Sequence, residues 1–263
     1  MAHVHASALV DPHAELADDV RVGPYTTIGA GVQVGAGTEI GAHVVLAGKT
    51  RIGTGNRVFP FAAIGTEPQD KKYRGEDTEL VIGDGNTIRE YCLINTGTVQ
   101  GGNVTRIGSG NWIMGYAHVA HDCIVGSNTI IANGVQLAGH VHVDDWAFIG
   151  GTTAVHQFVR VGAHSMCGGG TILLQDLPPY LMCNGNPAKP YGVHVEGLKR
   201  RQFSARSITA LRRAYRIVYR DNLPLAEARV ALDALIKSEP EDSAGPLRAF
   251  AEFLANPGRG LLR

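Results

Sequence analysis

The stretch VDPHAELADDVRVGPYTTIGAGVQVGAGTEIGAHVVL, residues 10–46, carries an aliphatic side chain at every sixth position: Val10, Leu16, Val22, Ile28, Val34, Ile40 and Leu46. The beat continues through Ile52, Val58 and Ile64, and glycine often follows it, as at Gly23, Gly29, Gly35, Gly41, Gly53 and Gly65. It resumes at Ile82, Ile88 and Ile94, slips by one residue, and runs from Ile107 to Leu173, with Cys167 the one leader that is not Ile, Val or Leu. Six residues are too few for a helical repeat; β-branched leaders with Gly, Asn and Asp between them suit one short strand and one turn. Three hexads close a triangular coil of about 18 residues, and parallel strands stacked at about 4.8 Å give roughly eight coils over about 40 Å. Each leader points to the axis, where burial stabilises by about 1.5–3 kcal/mol per side chain.

Composition narrows the classes. Glycine makes up 34 of the 263 residues, against a usual level of about 7%, and with no Gly-X-Y period and ordinary proline neither collagen nor disorder fits. The predicted use of the glycine is at corners that recur every six residues. Lys and Arg number 24, as do Asp and Glu, so no basic excess points to nucleic acid or a membrane surface. Cys92, Cys123, Cys167 and Cys183 form no CxxC pair, which fits free thiols in a reducing compartment. With no signal-like N-terminus and no long apolar run, the expected location is the cytoplasm and no integral membrane segment is expected.

Two interruptions break the beat. Residues 69–80, QDKKYRGEDTEL, and 100–106, QGGNVTR, are predicted to be loops projecting from corners, where binding groups commonly sit. The β-helix is expected over residues 1–190 and a small α-helical domain over 191–263, with helices at about 204–221, 225–238 and 245–255. The segment Lys199 to Arg220 holds eight Lys/Arg and no acid. It reads either as a solvated face or as a surface for an acidic partner or a phosphate.

His118, His121, His140, His142, His156 and His164 fall within 47 residues. At an 18-residue coil, His121, Gly139 and Gln157 share a vertical column, Asp122, His140 and Phe158 the next, and Ala120, Ala138 and His156 the one on the other side. A neutral imidazole can take a proton from a hydroxyl near pH 7. Against a thioester, one such base and one oxyanion donor suffice, so no covalent nucleophile is needed and Cys123 is read as packing. Gly139, above His121, would let its N–H approach an oxyanion. Asp122 can orient His121 only if a corner falls between them, because neighbours on a strand face opposite ways. His118, His121 and His140 could instead be imagined as ligands of an intersubunit zinc, and a purely structural solenoid remains a further reading of the repeat.

The hexads resemble those of the hexapeptide-repeat acyltransferases, whose coils wind as a left-handed parallel β-helix, opposite to the usual crossover preference. More specifically, AHVAHDCIVGSNTIIANGVQLAGHVHVDDWAFIGGTTAVHQFVRVGAHSM at 117–166, with QDLPPY at 175–180, GNPA at 185–188, EGLKRR at 196–201, QDKKYRGE at 69–76 and GTVQGG at 97–102, resembles the UDP-N-acetylglucosamine O-acyltransferases that begin lipid A synthesis. The resemblance covers essentially the whole chain. It implies transfer of a 3-hydroxyacyl chain from acyl carrier protein to the sugar 3-hydroxyl by a homotrimer with sites at subunit clefts, using no cofactor or metal. It implies His121 as general base, Asp122 as its partner and Gly139 as oxyanion donor, with His118, His140, His156 and Gln157 around the sugar and acyl groups. Asp70, Lys72, Glu196, Arg200 and Arg201 would reach the sugar nucleotide, and the cationic three suit a diphosphate. Gly169 lies where the family limits acyl length, and a glycine leaves room for a longer chain. His194 stands where the family commonly has Asn, and Asn95-Thr96 where it commonly has His-Arg, so no roles carry over there.

Overall fold

The computed structural model describes residues 2–256 and 258–263. Strands of mostly two residues fall in three sheets, and up to Leu173 each pairs in parallel with the strand three elements away. His118 and Val119, for example, pair with Gln136 and Leu137, which pair with Ala154 and Val155. One turn of chain therefore visits all three sheets before it returns one coil higher. The hexad leaders from Val22 to Leu173 are all buried, and Val10 and Leu16 at the open end are partly so.

The glycines serve two purposes, and the one the composition suggests is seen at Gly37, Gly55, Gly85, Gly110, Gly134 and Gly170, corner positions in the left-handed backbone region. Many corners sit in the left-handed backbone region on bulky residues, including Tyr25, His43, Phe61, Tyr116, His140 and Trp146. Glycine that follows a leader is needed for proximity: a Cβ on Gly23 would lie 2.7 Å from the Gly41 carbonyl carbon, and one on Gly35 equally close to Gly53. Stacking distance, more than torsion, selects it.

Both insertions leave the column in register. Val58 pairs with Ile88, thirty residues on, and Ile88 with Ile113, twenty-five on, so the coils gain twelve and seven residues over the usual eighteen. A buried ladder crosses the gap: Asn86 donates to Asn56 Oδ1 through N–H and Nδ2, Asn111 N–H donates to Asn86 Oδ1, and Thr129 donates twice to Asn111 Oδ1, all at 2.7–3.0 Å. The loops are displaced from their expected bounds. Leu80 is buried in the strand Glu79–Ile82, and Val104–Ile107 is a strand, so the first loop runs over 67–78 and the second over 96–103. Alternation explains this, since Leu80 and Thr105 point inward beside Ile82 and Ile107.

Beyond the last coil, Leu181–Asn184 and Lys189–Val193 form an antiparallel hairpin that carries the sheet past residue 190. Helices α1 (Val195–Arg200), α2 (Ala205–Tyr219), α3 (Leu225–Ser238) and α4 (Glu241–Ala255) follow. The short α1 was outside the expected set, because six residues around Gly197 give too little periodicity to read. α4 begins four residues before the expected Gly245. Pro246 cannot donate to the Asp242 carbonyl as a helix requires, and Ser207 Oγ from α2 donates to that carbonyl instead, at 3.0 Å.

Asp176 ties the tail to the β-helix. Its buried carboxylate accepts N–H bonds from Arg160 at 2.9 Å, Gly258 at 2.7 Å and Arg259 at 3.1 Å. Asp176→Ala should cost on the order of 3 kcal/mol of stability and expose the tail to limited proteolysis. An unchanged urea midpoint and digestion pattern would show that the staple contributes nothing.

Candidate active site

The corner between the second and third sheets collects the histidine columns. Asp122, His140 and Phe158 occupy it on successive coils with φ of 60°, 63° and 66°. The corner turns the Asp122 side chain toward His121, and Oδ2 meets Nδ1 at 2.8 Å. The rest of the carboxylate is occupied by the second loop: Thr98 N–H donates to Oδ1 at 2.8 Å and Thr98 Oγ to Oδ2 at 2.6 Å. Thr105 Oγ accepts the Asp122 N–H at 2.8 Å. Burial alone would raise the Asp122 carboxyl, but the bonds from His121 and Thr98 outweigh it and hold the pKa below its ordinary value. Asp122 is thus an anion, His121 Nδ1 carries the proton that bonds it, and Nε2 is left with a free lone pair.

Glycine is required on both sides of this pair. A Cβ on Gly139 would stand 2.5 Å from His121 Cε1 and 2.7 Å from Nε2, so only a bare backbone fits over the ring. The Gly139 N–H donates to no group among the described residues. A Cβ on Gly101 would overlap the Asp122 carboxylate. Thr98, Gly101 and Thr105 were not singled out in the sequence. The only signal was the GTVQGG motif, together with the need of a buried Asp for donors beyond one histidine.

His140 adds a second imidazole, edge-on to His121 at 5.2 Å, stacked on Phe158 at 4.4 Å, with Nε2 3.6 Å from Asp122 Oδ2. His121, Asp122 and His140 offer the one group of potential metal ligands among the described residues. His118, part of the imagined zinc set, is instead 2.9 Å from Asn95 Oδ1 through Nε2, and Asn95 Nδ2 donates to Thr66 Oγ and Glu67 O. The 2.8 Å separation of Nδ1 and Oδ2 is a hydrogen bond, tighter than two ligands of one tetrahedral zinc, which stand roughly 3.3 Å apart.

The remaining predicted residues divide among the corners. His156 and the exposed Gln157 lie one coil above Gly139, with His156 Nδ1 3.0 Å from the Gln157 carbonyl. Asp70, in the first loop, accepts the Lys72 N–H at 2.9 Å, and its charge acts on His140, so that loop approaches the same corner. Lys72 is exposed. Glu196 and Arg200 belong to α1, and Arg201, which caps its C-terminal end, lies over Trp146 at 5.2 Å. Trp146 marks the next corner, between the third and first sheets, so one chain does not bring α1 to His121. Gly169 is on the remaining corner, where an added Cβ would meet only Gly151 backbone at 3.3 Å or beyond.

Comparison with known proteins shows whose arrangement this is. Residues 176–262 match the family described as UDP N-acetylglucosamine O-acyltransferase, domain 2, and residues 105–139 match the bacterial transferase hexapeptide family. The acyl-(acyl-carrier-protein)-UDP-N-acetylglucosamine O-acyltransferases of Thiobacillus denitrificans and Paracidovorax citrulli are 53% and 56% identical, each over 100% of both chains. The solved UDP-N-acetylglucosamine O-acyltransferase of Moraxella catarrhalis is 42% identical with a TM-score of 0.94, covering 99% of each chain. The chain belongs to the UDP-N-acetylglucosamine O-acyltransferase family. It is an acyltransferase, and its coil is the left-handed parallel β-helix of that family.

Burial leaves several histidines of the acyltransferase reluctant to protonate. It lowers His118, His140 and His194, and it takes His164, beside Arg201, from 6.5 to about 4. The unfolded chain binds these protons first, so between about pH 6.5 and pH 4 it holds more protons than the native state and stability falls as pH falls. Urea midpoints should therefore decline from pH 7 to pH 5, with a shallower decline in His164→Phe. A flat profile over that range would contradict the burial.

Proposed function

We propose that the acyltransferase moves a 3-hydroxyacyl chain from acyl carrier protein to the 3-hydroxyl of UDP-N-acetylglucosamine, the step that opens lipid A biosynthesis, with His121 as general base. The observation that carries the mechanism is the buried Asp122 carboxylate held on His121 Nδ1 at 2.8 Å. Nε2 takes the sugar 3-hydroxyl proton as the oxygen attacks the thioester carbonyl. The developing oxyanion meets the Gly139 N–H. Collapse expels the carrier-protein thiolate, which receives the proton from the imidazolium, while Asp122 stabilises the charge on the ring. The thioester is already activated, so no cofactor or metal is required.

His118, His140, His156 and Gln157 surround the reacting groups, and Asp70 and Lys72 approach the sugar nucleotide from the first loop. Arg200 and Arg201 supply cations for the diphosphate, with Glu196 beside them paired to Lys199 at 3.1 Å. Because α1 and His121 stand at different corners, the complete site lies between subunits of a homotrimer, each contributing one half. Acidic carrier protein docks on the basic face of α2. That face is smaller than composition implies, since Glu239 pairs with Arg206 and Arg213 at 3.0 and 2.8 Å and Asp221 with Arg216 at 3.1 Å. No helix among the described residues is long and apolar enough to cross a membrane, and we place the enzyme in the cytoplasm, where its carrier substrate is.

His121→Ala should remain folded and lower turnover by at least about 10²-fold; near-normal activity in that variant would sink the mechanism. Arg201→Ala should raise KM for UDP-N-acetylglucosamine, and an unchanged KM would remove it from the site. Gly169 presents no side chain at its corner, which favours a long acyl chain. Gly169→Met should shift the product toward shorter chains in mass analysis of reactions given mixed acyl donors, and the same product distribution from both proteins would free Gly169 of that role.

A further inference from the structure

The corner that carries Arg201 is built from rings. Trp146, His164 and Tyr180 occupy it on successive coils, each in the left-handed region. Trp146 and His164 stack at 6.2 Å and His164 and Tyr180 at 5.7 Å, with planes within 16°. Phe203 closes the side of the column edge-on, 5.0 Å from His164 and 5.9 Å from Tyr180. At its foot the Arg201 guanidinium carbon lies 5.2 Å from the Trp146 ring centre.

The polar side of this cluster is incomplete. Arg201 Nη1 is buried with no hydrogen-bond partner among the described residues. No carboxylate among the described residues pairs with Arg201 there, and Glu196, the acid on the preceding helix, is taken by Lys199. A cation over an aromatic face is held through that face, while its N–H groups lie in the plane and stay free for a bidentate contact. A buried donor without a partner is costly unless something else satisfies it.

We infer that Trp146 is a positioning residue for sugar-nucleotide binding: its ring holds the Arg201 guanidinium in place without using its N–H groups, which remain available to the diphosphate. This rests on the reading that Arg201 meets the nucleotide. Trp146 touches no substrate in this scheme and acts only through Arg201. The indole supplies what an aliphatic side chain of similar bulk lacks, an electron-rich face that holds a cation without using its hydrogen bonds.

The test is steady-state kinetics with UDP-N-acetylglucosamine varied, on Trp146→Leu, Trp146→Phe, Arg201→Ala and the double variant Trp146→Leu/Arg201→Ala, each first shown to be folded by its thermal transition. Trp146→Leu should raise KM for the sugar nucleotide roughly three- to thirtyfold, with kcat within about twofold and KM for the acyl carrier substrate unchanged. Trp146→Phe should recover most of the loss, and the double variant should be no worse than Arg201→Ala. If Arg201→Ala raises KM and Trp146→Leu does not, the inference is overturned while the reading of Arg201 stands. If Arg201→Ala itself leaves KM unchanged, both fail.

Discussion

Adjacent coils of this molecule approach so closely that a methyl group cannot be added at Gly23 or Gly35 without striking the backbone above. That spacing follows from parallel strands whose inner side chains, one per hexad, fill the triangular interior. Every other feature depends on it. With interior positions taken by Ile, Val and Leu, the residue before each leader must face outward, and the corner residue must turn. Side chains eighteen apart then stand over one another, which is how His140 comes to lie above Asp122 and Gly139 above His121.

The dyad is a corner effect. On a flat strand His121 and Asp122 would face opposite ways; the left-handed backbone at Asp122 brings them to 2.8 Å. The seven-residue insertion one coil below then closes over the carboxylate with Thr98 and Gly101. A carboxylate so satisfied stays ionised while buried, keeping His121 in one tautomer. Scaffold regularity thus supplies position, and one local irregularity supplies electrostatics.

What could be read in advance follows the same division. The hexads, the columns and the requirement for a corner at Asp122 were legible because they depend on sequence spacing alone. The identity of Thr98 as the carboxylate's partner was not, since it stands 24 residues away across an insertion whose path no periodicity describes. The early start of α4 was hidden because its signal, Pro246, argues against a helix until Ser207 from another helix is in place. α1 was hidden by its length. Nor does spacing reveal that Arg201 sits at a different corner from His121, because α1 follows a hairpin that leaves the repeat.

That separation underlies the proposal that each chain carries two half-sites and that catalysis joins halves from two chains. Mixed assemblies test it directly. Co-expression of His121→Ala with Arg200→Ala/Arg201→Ala, each inactive alone at low UDP-N-acetylglucosamine, should restore activity, because some clefts then join an intact His121 to an intact arginine pair. Failure to recover activity in assemblies shown to contain both chains would place both halves in one chain and contradict the account.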